Sequence, residues 1–522
     1  MPHLGRLFFL AALALPPKAG SQSCETHVTP FDGAGEAWNR VKRLSPRDSA
    51  SATTEFRLAL NCEPSRTPRK TRLTLGAVYP DIRLVAMEGI PDSRGDGSLW
   101  AGRGVSSLVR LGATLDWGRV HLALAPEVWH AANRPYDLLP GRDTSRSTFA
   151  SPFFTGRNSL DLPSRMGRAP VTEVTPGQSA AWASIGPLDA GVSSSNLWWG
   201  PGARDGLMFG PGAAGIPRLF LRTPRPVATP LGRVSIDWFL GILTESRWFD
   251  HDPSNDHRSL SAAALSWSPR SSDNFTVGIA RAVQRIARLD GSVLSRALDA
   301  VRGAPEHEAD RLTMFFVRLV LPDAGMRAWA ELATPRPMGR IRDLLTVPGD
   351  NLAYQLGVEQ LIRHGASRWL LHTEVMSVEP GLMVRDRPSA YFYAGSATPQ
   401  GWTQRGQMLG AGTGPGSNAQ WISMDRSTDR WSAGVYGERV RWNNEALMPL
   451  YLATIFRHDV TMRMGARASV RTTLMGYRND IALDASWGKR LNYLFQNTTW
   501  IEAYRTVDVA IPQVRLTVSP RP

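Results

Sequence analysis

From residue 461 the chain reads TMRMGARASVRTTL, and apolar and polar side chains alternate along it. Met462, Met464, Ala466, Ala468, Val470 and Leu474 fall on one face, and Arg463, Arg467, Ser469, Arg471 and Thr473 on the other. A period of two is the spacing of a strand whose faces meet different surroundings. NDIALDASWGK (479–489) alternates in the opposite phase, after the turn residues Gly476-Tyr477-Arg478-Asn479. VRLGATLDW (109–117) repeats the pattern, with Val109, Leu111, Ala113, Leu115 and Trp117 opposite Arg110, Thr114 and Asp116. VSIDWFLGIL, FTVGIARAV, RLTMFFVRLVL, LAYQLGVEQLI and RWSAGVYGERVRW are further stretches of this kind. Segments of about ten alternating residues separated by turn chemistry are the signature of a transmembrane β-barrel. Backbone groups in lipid must be paired internally, and closure is how a sheet achieves that. A secreted β-sandwich also alternates, but several arginines on one strand face suit a wet lumen. Trp117 and Trp487 near strand ends suit interfacial girdles. The expected fold class is all-β, a transmembrane antiparallel β-barrel of roughly 16–18 strands.

Two stretches break the period. FDGAGEAWNRVKRLSPRDSA (31–50) and RIARLDGSVLSRALDAVRG (285–303) space their apolar residues by three or four, and predict short helices in a plug or loop. Pro/Gly/Ser-rich segments at 134–178 and 395–418 predict long loops. At the start, MPHLGRLFFLAALALPPKAGSQSC has a basic opening ending at Arg6, an apolar core from Leu7 to Leu15 and then small residues. That is the layout of a secretory signal peptide, cut near Ala19–Ser21. The expected organisation is a signal peptide (1–20), an N-terminal periplasmic helical segment (21–70) and a barrel (71–522). An exported chain can oxidise its only two cysteines. Cys24 and Cys62 are a disulfide candidate worth about 3–4 kcal/mol, two free thiols being the alternative.

Composition adds a charge of +14, carried by 60 basic residues of which only Lys18, Lys42, Lys70 and Lys489 are lysine, leaving 56 arginines. Guanidinium groups grip carboxylates and phosphates in bidentate fashion. The expected partners are therefore an acidic capsular or extracellular polysaccharide and outer-membrane lipid, not nucleic acid. The chain is expected to be a monomer in the outer membrane of a Gram-negative-type bacterium, inserted by the barrel-assembly machinery.

SSSNLWWGPGARDGLMF (193–209) places two tryptophans before a Gly-Pro-Gly turn and an Arg-Asp pair. Trp faces can stack on the C–H surfaces of sugar rings, and Arg204 can pair a uronate or phosphate. Trp198 and Trp199 can equally be a strand end in an interfacial girdle. GWTQRGQ (401–407) offers a second set, Trp402, Arg405 and Gln407, as sugar contacts or as a loop turning back into the lumen. The same stretch belongs to a longer pattern. Gly177-Gln178-Ser179, Trp198-Trp199-Gly200-Pro201-Gly202, Gly215-Ile216-Pro217, Thr223-Pro224-Arg225-Pro226 and Glu245-Ser246 follow in order, with 102–129 upstream and 343–360 and 401–418 downstream. This pattern resembles the Wzi capsule-assembly family of outer-membrane β-barrel lectins. The resemblance implies eighteen strands, a small helical bundle closing the periplasmic end and polysaccharide binding at the outer face. Here the N-terminal helical portion is short, and the chain ends VRLTVSPRP without a terminal aromatic residue.

Catalytic signals are weak. HDPSNDH (251–257), beside Asp250, groups carboxylates and histidines but reads as an exposed turn. TPGQS (175–179) lacks the second glycine of a nucleophile elbow, and there is no HExxH. No catalytic residue, metal or cofactor is expected. The functional expectation is a barrel that binds capsular or exopolysaccharide and assists its assembly or retention at the cell surface. A porin-like channel for anionic solutes, its lumen lined by Arg463, Arg467 and Arg471, is the first alternative. An outer-membrane hydrolase is the second.

Overall fold

The structure, a computed structural model, describes residues 24–28, 31, 33–44, 55–64, 73–92, 94–139, 146–153, 159–272, 274–305, 307–335, 352–379, 392–444, 458–474, 476–496 and 507–520. The expected signal peptide lies outside them. Twenty-two strand segments close into one antiparallel barrel. Four of its strands are each broken once, so eighteen strands run round the wall. Closure is made by Gln513–Pro520, which pairs with Thr74–Met87 on one side and with Tyr477–Leu491 on the other.

The alternation sorts wall from lumen as the sequence requires. Met464 is 70% exposed and Leu111 55% exposed on the outer wall, while Arg463 and Arg110 point inward and are buried. Trp117, Trp487, Trp431 and Tyr477 stand exposed near the ends of their strands. Three inward glycines let the wall curve, each facing a ring directly across the ladder: Gly278 with Phe316, Gly357 with Trp329 and Gly465 with Tyr436. The ring fills the space a side chain would take.

At one rim consecutive strands are joined by short connections, between Trp117 and Val120, Ile185 and Leu188, Thr229 and Gly232, Ser268 and Phe275, Leu321 and Met326, His364 and Ser367, Ser427 and Trp431, and Leu474 and Tyr477. The other rim carries the long ones, among them 132–170, 194–217, 245–256, 287–309 and 378–417. In outer-membrane barrels short turns face the periplasm and long loops the exterior.

The lumen is filled from both rims. The helix Glu36–Arg43 sits at the short-turn rim. Its Trp38 indole donates to the Thr428 carbonyl at 2.7 Å, Arg40 meets Glu359 at 2.8 Å, and Val41 and Leu44 pack on Leu361 and Leu370. This single helix, the only one among the described residues of 24–64, stands where the resemblance implies a bundle. Cys24–Val28 pairs with Leu60–Pro64, with Thr26 opposite Cys62 and Cys24 opposite Pro64. The register sets the two cysteines diagonally on neighbouring strands; their side chains lie outside the described residues.

The second helical stretch forms a 3₁₀ turn, Gly291–Arg296, and a short helix, Asp299–Arg302. Both lie against the outside of the barrel. Trp238, Leu240 and Ile242 alternate with the inward Phe239 and Leu243, and it is this outer set that packs with Val293 and Ala297.

Candidate functional site

The WWGPG loop enters the lumen because its backbone is caught there. Leu197–Trp199 pairs with Phe56–Leu58, which makes a two-stranded ribbon inside the barrel. Trp199 is fully buried, its ring centroid 5.6 Å from Phe56, 5.1 Å from Phe209 and 5.5 Å from Phe239. Trp198 is buried under the Arg57 guanidinium, 4.1 Å from its ring centre, with Phe31 at its edge. The ring faces that the sequence assigns to sugars are occupied by protein groups.

Past the tryptophans, the chain turns through Gly200 at φ +111°. Five backbone amides, of Gly202, Ala203, Arg204, Asp205 and Leu207, then donate to the wall carboxylates Glu331 and Glu374. A side chain at Gly200 would overlap Glu331, so glycine is required by both the backbone and the contact. Arg204 stacks over Trp421 at 4.6 Å and reaches Glu438 at 3.4 Å. Burial pushes the Asp205 carboxyl up to about 6 despite Arg204 and Arg94 beside it.

The two motifs meet. The Trp402 indole donates to the Met208 carbonyl at 2.7 Å and its ring stacks on Phe209 at 5.7 Å. The Tyr393 hydroxyl donates to the Leu207 carbonyl at 2.6 Å. Gln407 is buried, its amide 3.3 Å from the Leu99 carbonyl. Of the six sequence-derived ligand candidates, Trp198, Trp199, Arg204, Trp402 and Gln407 are buried or half-buried in this lumenal core. Arg405 stands apart, half-exposed at the long-loop rim at φ +51°.

Arg405 and the edge of Gln407 line a cavity of about 770 Å³ that opens at that rim. Its wall comes from the 171–175 strand, the 245–257 turn and Trp129. Its lining includes four carboxylates, Glu173, Glu245, Asp250 and Asp256, two guanidinium groups, Arg247 and Arg405, and the imidazoles of His251 and His257. Arg405 lies 3.7 Å from Glu173. Trp248 contributes a half-buried ring, and the buried Trp129 indole N–H and Thr175 hydroxyl have no hydrogen-bond partner among the described residues. Burial raises the Glu245 carboxyl to about 8, with Asp250, Asp161 and Asp256 adding to the rise against a hydrogen bond from Gln400.

The turn is held by local bonds. Asp250 accepts from the Asp252 amide at 2.8 Å, and Asp252 from the Ser254 amide at 2.9 Å. Below it, Asp161 accepts from the Ser246 amide at 2.7 Å and from its hydroxyl at 2.5 Å. Sequence alone reads 250–257 as an exposed turn and misses its place in a concave wall. The available signal is Glu245-Ser246, part of the motif pattern, lying immediately before Trp248. Among the described residues no cluster of three metal-ligating side chains occurs.

The arginine ladder is paired. Arg463 reaches Asp92 at 2.6 Å, Arg467 reaches Asp425 at 2.7 Å, and Arg471 lies 3.6 Å from Asp480 and 4.1 Å over Trp38.

No family profile and no curated protein matches the sequence. Among solved structures, the chain is similar to Wzi of Escherichia coli, described as an outer membrane protein involved in group 1 capsule assembly and a carbohydrate-binding β-barrel. Identity is 11%, coverage 99% of this chain and 98% of that one, and the TM-score 0.55. It is also similar to a BenF-like porin of Pseudomonas fluorescens, at 8% identity over 86% of this chain and 99% of that one, TM-score 0.42. A third is OccK7 of Pseudomonas aeruginosa, at 11% identity over 85% and 98%, TM-score 0.38. At such identities the likeness concerns the fold, and by fold this chain is an eighteen-stranded outer-membrane β-barrel.

Proposed function

We propose that this barrel binds polysaccharide in the cavity at its long-loop rim and holds it at the cell surface, in the manner of a capsule-assembly lectin. The observation that carries this reading is the cavity itself. An open polar concavity has carboxylates to accept from sugar hydroxyls, unpartnered indole and hydroxyl groups in its wall, and an aromatic ring for a sugar face. Wzi, which shares this fold, is described as a carbohydrate-binding β-barrel, and that supports the same class of ligand here. The charge of +14 favours an acidic glycan over the whole surface. The cavity's own balance does not share that excess: Glu173, Asp250 and Asp256 stand against Arg247 and Arg405, and the raised Glu245 carboxyl is a neutral hydrogen-bonding group near pH 7. The ligand proposed here is therefore a hydroxyl-rich polysaccharide, with any uronate directed toward Arg405 or Arg247. A chain that engages several such barrels on one cell would gain retention from avidity.

The test is retention of exopolysaccharide on immobilised, detergent-solubilised protein. Trp248→Ala and Arg405→Ala should each weaken retention about tenfold, equivalent to about 1.4 kcal/mol. Unchanged retention by both variants would remove the cavity from the reading.

A further inference from the structure

The loop folded against the outer wall points to a second ligand, and it does not depend on the polysaccharide reading. Beyond the strand Phe275–Ile286 the chain turns back and lays Gly291–Arg302 on the barrel's outside, near the long-loop rim. It is anchored there by polar groups that a lipid-facing wall does not ordinarily carry. Ser261 donates to the Ala297 carbonyl at 2.8 Å and accepts from the Ala300 amide at 3.1 Å, and Arg296 reaches Ser259 at 3.1 Å. The outward Trp238 indole donates to Ala297 as well.

The same outer face carries arginines. Ser259 stands opposite Arg285 and Ala263 opposite Arg281, while Arg311 stands opposite Val283. The inward neighbours Ala280, Ala282 and Leu312 belong to the lumenal core, so all three arginines project outward. Arg285 meets Asp299 at 3.5 Å and Glu308, and Arg311 donates to the Ala304 carbonyl. Leu289 and Leu294 stand exposed on the loop, 63% and 61%, beside the exposed Arg288 and Arg302. Cations on a lipid face are costly at mid-membrane and tolerated near the interface. Apolar side chains interleaved with arginines are the composition of a segment lying in the head-group boundary.

We propose that this outer face, with Arg281 and Arg311 at its centre and the 287–303 loop as its edge, binds the phosphate monoester of an outer-leaflet lipid, whose charge no choline group compensates. Guanidinium groups take phosphate oxygens in bidentate fashion, and the exposed leucines lie where the acyl chains begin. Phosphate on a lipid and free phosphate share this chemistry, so the test separates them.

The experiment uses the full chain in dodecyl maltoside and follows its thermal unfolding. Three additions are compared: a bis-phosphorylated lipid A, phosphatidylcholine of similar acyl content, and inorganic phosphate. Wild type should be raised several degrees by the phosphorylated lipid and little by the other two. Arg281→Gln/Arg311→Gln should lose most of that rise, and native mass spectrometry should show fewer lipid adducts on it. If the double variant folds poorly, Leu289→Ser/Leu294→Ser, which alters only exposed loop side chains, should give the same partial loss. An equal rise with phosphatidylcholine, or an unchanged rise in both variants, overturns the proposal. A rise with inorganic phosphate alone would also overturn it, as an ion site without lipid.

Discussion

At the residue scale, Trp199 and Gly200 show how one motif serves the core. Trp beside Gly-Pro-Gly is compatible with a sugar platform, an interfacial girdle or a packed interior, and local sequence does not distinguish them. What distinguishes them is the partner ring across the lumen, Phe239, and the carboxylate Glu331, neither of which is near in sequence. Gly200 offers a clean test against Gly186, which also has positive φ, +60°, but where an added side chain would meet no described atom within 4 Å. Gly186→Ala should cost only the backbone strain, about 1 kcal/mol. Gly200→Ala adds an overlap with Glu331 and should cost about 3 kcal/mol or more, because it also disturbs the amides that hold the loop. Urea unfolding in detergent would measure both, and equal losses would mean that the Glu331 contact is not a constraint.

At the element scale, the strands were legible and the loops were not. Alternation fixes which face of 461–474 meets lipid, because a one-residue slip would turn Arg463, Arg467 and Arg471 outward. The helical spacing at 31–50 and 285–303 locates helical turns, but period alone does not say that one goes inside the barrel and the other outside. Charge misleads in the same way, since +14 averages the whole chain while the rim cavity gathers carboxylates from 173 to 256. That cavity's floor depends on Asp161, which joins the 159–170 segment to the 245–256 loop through Ser246. Burial raises its carboxyl from 3.8 to about 6. The folded state thus keeps a proton that the unfolded chain releases, and this group's contribution to stability falls as pH rises from about 4 to 6 and is level above. Two units amount to about 3 kcal/mol. The difference in stability between wild type and Asp161→Asn should therefore change across that window and be constant from pH 7 to 8. A difference flat from pH 4 to 8 would refute the assignment.

At the scale of the whole molecule, the question is whether eighteen strands enclose water or protein. Barrels of 16–18 strands are wide enough to leave an aqueous channel, which is why the channel alternative follows naturally from the arginine ladder. Here the lumen receives the Glu36–Arg43 helix from one rim and the 194–217 and 392–417 loops from the other, and the ladder's charges are matched by Asp92, Asp425 and Asp480. Wild-type protein in planar bilayers should accordingly pass little current. The lumenal loop is held mainly by Glu331 and Glu374, which together accept from five of its backbone amides. Leaving a buried donor unpaired costs about 1–3 kcal/mol, so Glu331→Ala/Glu374→Ala removes several times that from the closed arrangement. The wall ladders do not use these side chains, and the variant should still migrate as a folded barrel before heating. It should, however, show frequent large openings that the wild type lacks. Large steady conductance from the wild type would refute the filled lumen, and a folded but silent double variant would show that the loop is held by its aromatic packing around Trp199 instead.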